Sequence, residues 1–125
     1  CLILADGFYE WDKLSGQRTP YFISLKDRKP FVFAGLWERW TPPEGESVRS
    51  CTIITCAPNE MIAGIHDRMP VILEPAAAWR WMDDQPQPQL QALLRPFLAK
   101  AMQMHAISPR VNTPAVDSPD LINPI

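Results

Sequence analysis

No run of about 18 consecutive apolar residues occurs in this 125-residue sequence, so no membrane-spanning helix is expected. Neither charge dominates. Lys plus Arg is 12 and Asp plus Glu is 14, for a formal charge of −2. That balance argues against a bulk electrostatic binder of nucleic acid and leaves room for a local basic groove. A phosphate-binding loop, a dinucleotide fingerprint and a nucleophile elbow are all missing. Cysteine is scarce: only Cys1, Cys51 and Cys56 occur. An odd number cannot all pair within the chain, and no basic, apolar leader opens it, so a reducing, cytoplasmic setting is expected. Cys51 and Cys56 fall on opposite faces of a strand, and His66 and His105 complete no zinc-like spacing. Neither a metal nor another cofactor is expected.

What is present is ordinary in bulk and unusual in detail. Apolar residues make up 46% and charged residues 21%, the balance of a globular chain. The length suits one domain over residues 1–125, burying roughly two-thirds of its unfolded surface. Fourteen prolines, against an average near 5%, disfavour a helical bundle. Five tryptophans are present, and at least three are expected in or beside the core.

Apolar runs predict strands at Cys1–Ala5, Tyr21–Lys26, Phe31–Leu36, Val48–Ala57, Val71–Leu73 and, at a sheet edge, Ala101–Ile107. The short connection Asp27–Pro30 predicts that the second and third of these pair as a hairpin. A helix is expected from Pro58 to Ala63, ended by Gly64, another over Pro75–Met82, and a kinked one around Leu90, Leu93, Leu94 and Phe97. Ser108–Ile125 reads as an extended surface tail. Hairpin-like strands mixed with short helices define an α+β class. Because Cys1 opens directly into a strand, the chain reads as a fragment or a trimmed chain.

Two clusters could carry chemistry. Glu10 lies between Tyr9 and Trp11. A carboxylate among aromatic rings loses solvation and holds its proton more tightly, which suits a general acid or base; the structural alternative is a strand residue facing solvent. His66-Asp67-Arg68 is the densest polar cluster, with an imidazole suited to proton transfer near neutral pH and a guanidinium that matches phosphate. Its alternative is a solvated loop in which Asp67 pairs with Arg68. The tryptophans could stack on unpaired bases. The basic residues are scattered.

Three segments together resemble one family: Ala5-Asp6-Gly7-Phe8-Tyr9-Glu10-Trp11, Phe33-Ala34-Gly35-Leu36-Trp37-Glu38 and Ile65-His66-Asp67-Arg68-Met69-Pro70-Val71-Ile72-Leu73. Cys51–Thr55 with Ala57-Pro58-Asn59 fits between the last two, and Val111-Asn112 with Leu121-Ile122-Asn123-Pro124 fits the end. The family is that of the SOS response-associated peptidases (SRAP), and the resemblance is to the C-terminal part of its domain. It implies an α+β fold around a mixed, barrel-like sheet with short flanking helices, incomplete here at the N-terminus. It also implies a sensor of abasic sites in single-stranded DNA that forms and reverses a covalent crosslink. The nucleophile would be a mature N-terminal cysteine, freed by autoproteolytic loss of the initiator Met and absent from this chain, since Cys1 matches an internal position. By position, Glu10 and His66 resemble the family's catalytic pair, and Trp11, Thr55 and Arg68 its DNA contacts. The alternative is a truncated, non-catalytic module that binds single strands.

Overall fold

The computed structural model describes residues 1–125. In chain order the strands are β1 (Leu2–Ala5), β2 (Phe8–Trp11), β3 (Pro20–Leu25), β4 (Phe31–Trp40), β5 (Val48–Ile53), β6 (Thr55–Cys56), β7 (Met69–Pro70), β8 (Ile72–Leu73) and β9 (Met102–Ala106). The helices are α1 (Pro75–Met82) and α2 (Gln87–Gln91). The α+β class is as expected, but every strand pair is antiparallel and the strands form three open sheets with no closed barrel. No helix is long and apolar enough to cross a membrane.

The chain folds as two compact units, each built from three separated segments. The first comprises residues 1–5, 31–57 and 69–97. Its sheet runs β1-β4-β5, with β8 also on β4, and β6 pairs β7 alongside. Ala34, Val71, Leu73, Ala78 and Leu93 form its buried core, against which Leu2, Val32, Ile54, Trp81, Leu90 and Leu94 pack. Pro75 suits the first turn of α1, where its missing N–H costs nothing. α2 is only five residues long, and Leu93 reaches the core from the turn beyond it.

The second unit comprises residues 6–30, 58–68 and 98–125. Its sheet runs β2-β3-β9, with Ile23 at 0% exposure in the central strand. Phe22, Ile62, Ile65, Met102, Ile107 and Leu121 are also buried in this unit. Gly7 allows the turn into β2 to run close over β3: a methyl there would collide with the Phe22 ring and stand 2.9 Å from the Ile23 carbonyl oxygen.

Several expectations fail for identifiable reasons. β3 and β4 do not form a hairpin, because both edges of β3 are taken, by β2 and β9. The run Val48–Ala57 is two strands, since at Ile54 the chain changes partner: β5 pairs β4, and β6 pairs β7. After Pro58 only a single 3₁₀ turn forms, at Ile62–Gly64. There the Asn59 Oδ1 accepts from the amides of Met61 (3.2 Å) and Ile62 (3.0 Å), a side-chain turn that competes with a helical ladder. The tail is not simply extended. It has 3₁₀ turns at Pro109–Asn112 and Pro119–Ile122, buries Leu121 and bridges Ile107 to Pro124. Trp37, Trp40 and Trp79 are exposed, so only Trp11 and Trp81 are partly buried.

Candidate functional site

In the second unit, strand pairing and one side-chain turn bring two carboxylates and an imidazole together. Glu10 sits on β2 opposite Tyr21, and Trp11 closes the strand opposite Pro20. Strand alternation would send these two neighbours to opposite faces. At the end of an edge strand, both instead border one open cavity. The Glu10 Oε1 accepts from the Trp11 amide at 3.0 Å, which orients the carboxylate.

His66 is delivered by the turn after Asn59. Its amide donates to the Ile62 carbonyl at 2.8 Å, between the buried Ile62 and Ile65. The His66 and Glu10 side chains are only 12% and 19% exposed, and Nε2 stands 3.6 Å from the Glu10 Oε1. That separation is longer than a hydrogen bond. It is a distance that a bound substrate could close. On the other side of the ring, Nδ1 is 3.1 Å from the Arg68 amide, 3.0 Å from the Arg68 carbonyl and 3.2 Å from the Asp67 Oδ1. If Nδ1 accepts from the Arg68 amide, the ring proton sits on Nε2, facing Glu10. If Nδ1 is protonated, it donates to the Arg68 or Asp67 oxygen. The ring is thus hydrogen-bonded at Nδ1 and faces the Glu10 carboxylate across 3.6 Å at Nε2, an arrangement that suits proton transfer to a group bound between them.

The cavity, about 720 Å³, is lined by Glu10, Trp11, Lys13, Gly16, Arg18 and Asn112. The Trp11 Nε1 donates to the Asn112 Oδ1 at 2.7 Å, so residues 101 positions apart hold the indole. Lys13, Arg18 and Asn112 were not legible as site residues. The segment after Trp11 reads as a plain polar loop, and nothing local in the sequence ties Asn112 to Trp11. Asp12 is the missed structural signal. It is buried at 8% exposure and its Oδ1 accepts from the amides of Leu14 (2.8 Å) and Ser15 (2.9 Å). The Ser15 hydroxyl foremost, with the Ser15 and Leu14 amides, holds the Asp12 carboxyl below the ordinary carboxylate range, against the opposing effect of burial.

The other expected site residues fall as follows. Arg68 lies two residues beyond His66, in the same unit, and is exposed. Thr55 belongs to the first unit, on β6 opposite Pro70, and is exposed. His105 is engaged within the fold, its Nε2 2.8 Å from the Ile122 carbonyl oxygen. Cys1 lies in the first unit, where its carbonyl accepts from the Gly35 amide at 2.9 Å and the Trp81 indole at 3.1 Å. No disulfide joins any of the three cysteines.

The sequence profile of the family described as SOS response associated peptidase (SRAP) matches residues 1–114. The chain belongs to that family. It is 45% identical over 125 residues to the abasic site processing protein YoqW of Bacillus subtilis (strain 168), covering 98% of this chain and 56% of that one. It is 34% identical over 147 residues to the abasic site processing protein HMCES of Gallus gallus, covering 100% of this chain and 43% of that one. A crystal structure of a Bacteroides thetaiotaomicron protein superposes with a TM-score of 0.93 at 26% identity, over 100% of this chain and 56% of the other. The chain thus spans about half the length of the curated relatives it matches.

Proposed function

We propose that the chain supplies the proton-handling and DNA-contact part of a protein that processes abasic sites in single-stranded DNA. The observation that carries this reading is the approach of His66 Nε2 to Glu10 Oε1, 3.6 Å, at a cavity that Glu10 and Trp11 border. The names of the relatives supply the substrate class.

An abasic deoxyribose opens to an aldehyde. A primary amine adds to that carbonyl, and loss of water gives an imine. A thiol then adds across the carbon–nitrogen double bond, closing a thiazolidine, with the thiol proton ending on nitrogen. Reversal adds the same water back. An N-terminal cysteine offers both groups, since an α-amine with a pKa near 8 is partly neutral at pH 7. In this scheme that cysteine, exposed by autoproteolytic loss of the initiator Met, comes from outside the 125 residues. Every dehydration and hydration step moves a proton to or from oxygen. Glu10 is assigned to proton transfer at the imine, to its nitrogen and to the water that leaves and returns, and His66 to ring opening of the sugar. Trp11 lines the bound nucleotide, Arg68 takes a phosphate, and Thr55 is assigned a further DNA contact.

A denaturing gel with single-stranded DNA holding one abasic site tests the scheme. These 125 residues alone should give no covalent band, while a chain extended upstream to a mature N-terminal cysteine should give one. In the extended protein Glu10→Gln should slow crosslink reversal. A covalent band that requires Cys1 overturns the placement of the nucleophile. Unchanged reversal in Glu10→Gln removes Glu10 from its role and, if DNA binding persists, leaves a non-catalytic binding module.

A further inference from the structure

We infer that the loop between β2 and β3 is a phosphate-binding arm of this cavity, with Lys13 and Arg18 holding a backbone phosphate of the single strand beside Trp11. The inference deepens the DNA reading above and rests on it.

The cavity carries two cations and one carboxylate, Lys13 and Arg18 against Glu10. Its wall is therefore locally positive in a chain whose formal charge is −2. The ion pairs of the molecule are Lys29–Asp27, His66 with Glu10 and with Asp67, and Arg110–Asp120. Lys13 and Arg18 stand outside all of them, so their charges are not spent on a neighbouring carboxylate. Both are exposed, and an incoming anion would displace only water. A guanidinium matches two phosphate oxygens with its planar fork, and an ammonium adds a point charge.

The loop is also held in place. Its base is clamped by the Asp12 amide donating to the Thr19 carbonyl at 2.9 Å, and its first turn is fixed by Asp12 Oδ1 on Leu14 and Ser15. The Lys13 amide donates to the Ile65 carbonyl at 3.0 Å, tying the loop to the residue before His66. Arg18 itself has φ 52, a left-handed conformation that residues other than glycine adopt rarely. Glycine would fit that backbone better, yet the position carries a long cation that borders the cavity. A site fixed before binding loses less freedom on binding. Asn112, which lines the same cavity as the cations, fixes the Trp11 ring, so a base or sugar stacked there would bring its phosphate to the cavity that Lys13 and Arg18 border.

The test is fluorescence-anisotropy titration of the full chain with an intact single-stranded oligonucleotide over a range of KCl concentrations. Wild type is compared with Lys13→Gln/Arg18→Gln and with Arg18→Gly. Two lost phosphate contacts should lower the slope of log affinity against log salt by about 1.4, at about 0.7 per contact. Arg18→Gly should bind more weakly while melting no lower than wild type, which separates lost charge from lost fold. Wild-type binding with unchanged affinity and slope in both variants overturns the arm and leaves the DNA reading standing. No wild-type binding to any single strand overturns both.

Discussion

One choice at His66 Nδ1 sets what the ring can do at Nε2. Accepting from the Arg68 amide leaves the proton facing Glu10; donating to Arg68 or Asp67 leaves a bare Nε2 there. Glu10→Gln keeps an oxygen for the Trp11 amide and removes the group that can exchange that proton. It should cost about 10²–10⁴-fold in the rate of crosslink reversal, followed by gel, with binding to intact single strands within about threefold of wild type if only proton transfer is lost. A rate within tenfold of wild type would exclude Glu10 as the acid or base. Asp12 makes a different prediction. Its folded carboxyl titrates below the ordinary range near pH 4, so below that pH the unfolded chain binds the extra proton. Its contribution to stability is therefore full above about pH 4 and declines as pH falls toward the lowered value. Asp12→Asn should flatten that part of an acid unfolding curve read by tryptophan fluorescence, and an unchanged acid limb would refute the assignment. At this scale Glu10 and His66 stand out in the sequence because each lies in a distinctive local segment. Lys13, Arg18 and Asn112 do not stand out, because only the folded chain brings them to the border of one cavity with Glu10 and Trp11.

Among the elements, the central strand β3 organises the unit that holds the site. It pairs on both edges, and Ile23 at 0% exposure is its most enclosed side chain. Ile23→Ala should cost about 2–5 kcal/mol in denaturant unfolding. Gly7→Ala tests how closely the turn into β2 passes over β3. The added methyl meets the Phe22 ring and the Ile23 carbonyl, and the backbone must shift, so a loss of about 1–3 kcal/mol is expected. A midpoint equal to wild type would show that the turn yields freely. Most strands were legible from apolar runs, since β1, β3, β4, β5 and β9 each show one. Their partners were not, because pairing depends on which edges remain open. Asp27–Pro30 is short enough for a hairpin, yet the edge of β3 it would need belongs to β2 or β9. Likewise Ile54 interrupts an unbroken β-rich run for the sole reason that two different strands receive its two halves.

For the whole molecule, charge sets what the proposed DNA binding would rest on. With 12 basic and 14 acidic side chains, the molecule has no net attraction for a polyanion, so affinity must come from a few placed cations and from stacking. Lys13, Arg18 and Arg68 are the three that the reading places on phosphates. Each contact on a single strand contributes about 0.7 to the salt slope, so log affinity against log salt should have a slope of about −2. Stacking on Trp11 is insensitive to salt, so affinity should level off at high salt above zero. The competing source of cations is the β4–β5 ribbon, where Arg39 and Arg49 sit directly opposite each other beside the exposed Trp37 and Trp40. A pair of like charges in register is unfavourable unless an anion lies between them. If that ribbon also took phosphate, the slope would steepen to about −3.5, at the same increment per contact, and Arg49→Gln would lower it. The acidic residues Glu38, Glu44 and Glu46 in and beside the ribbon argue for the shallower value. A measured slope near −2 that Arg49→Gln leaves unchanged would confine the DNA to the Glu10 cavity and its flanking cations.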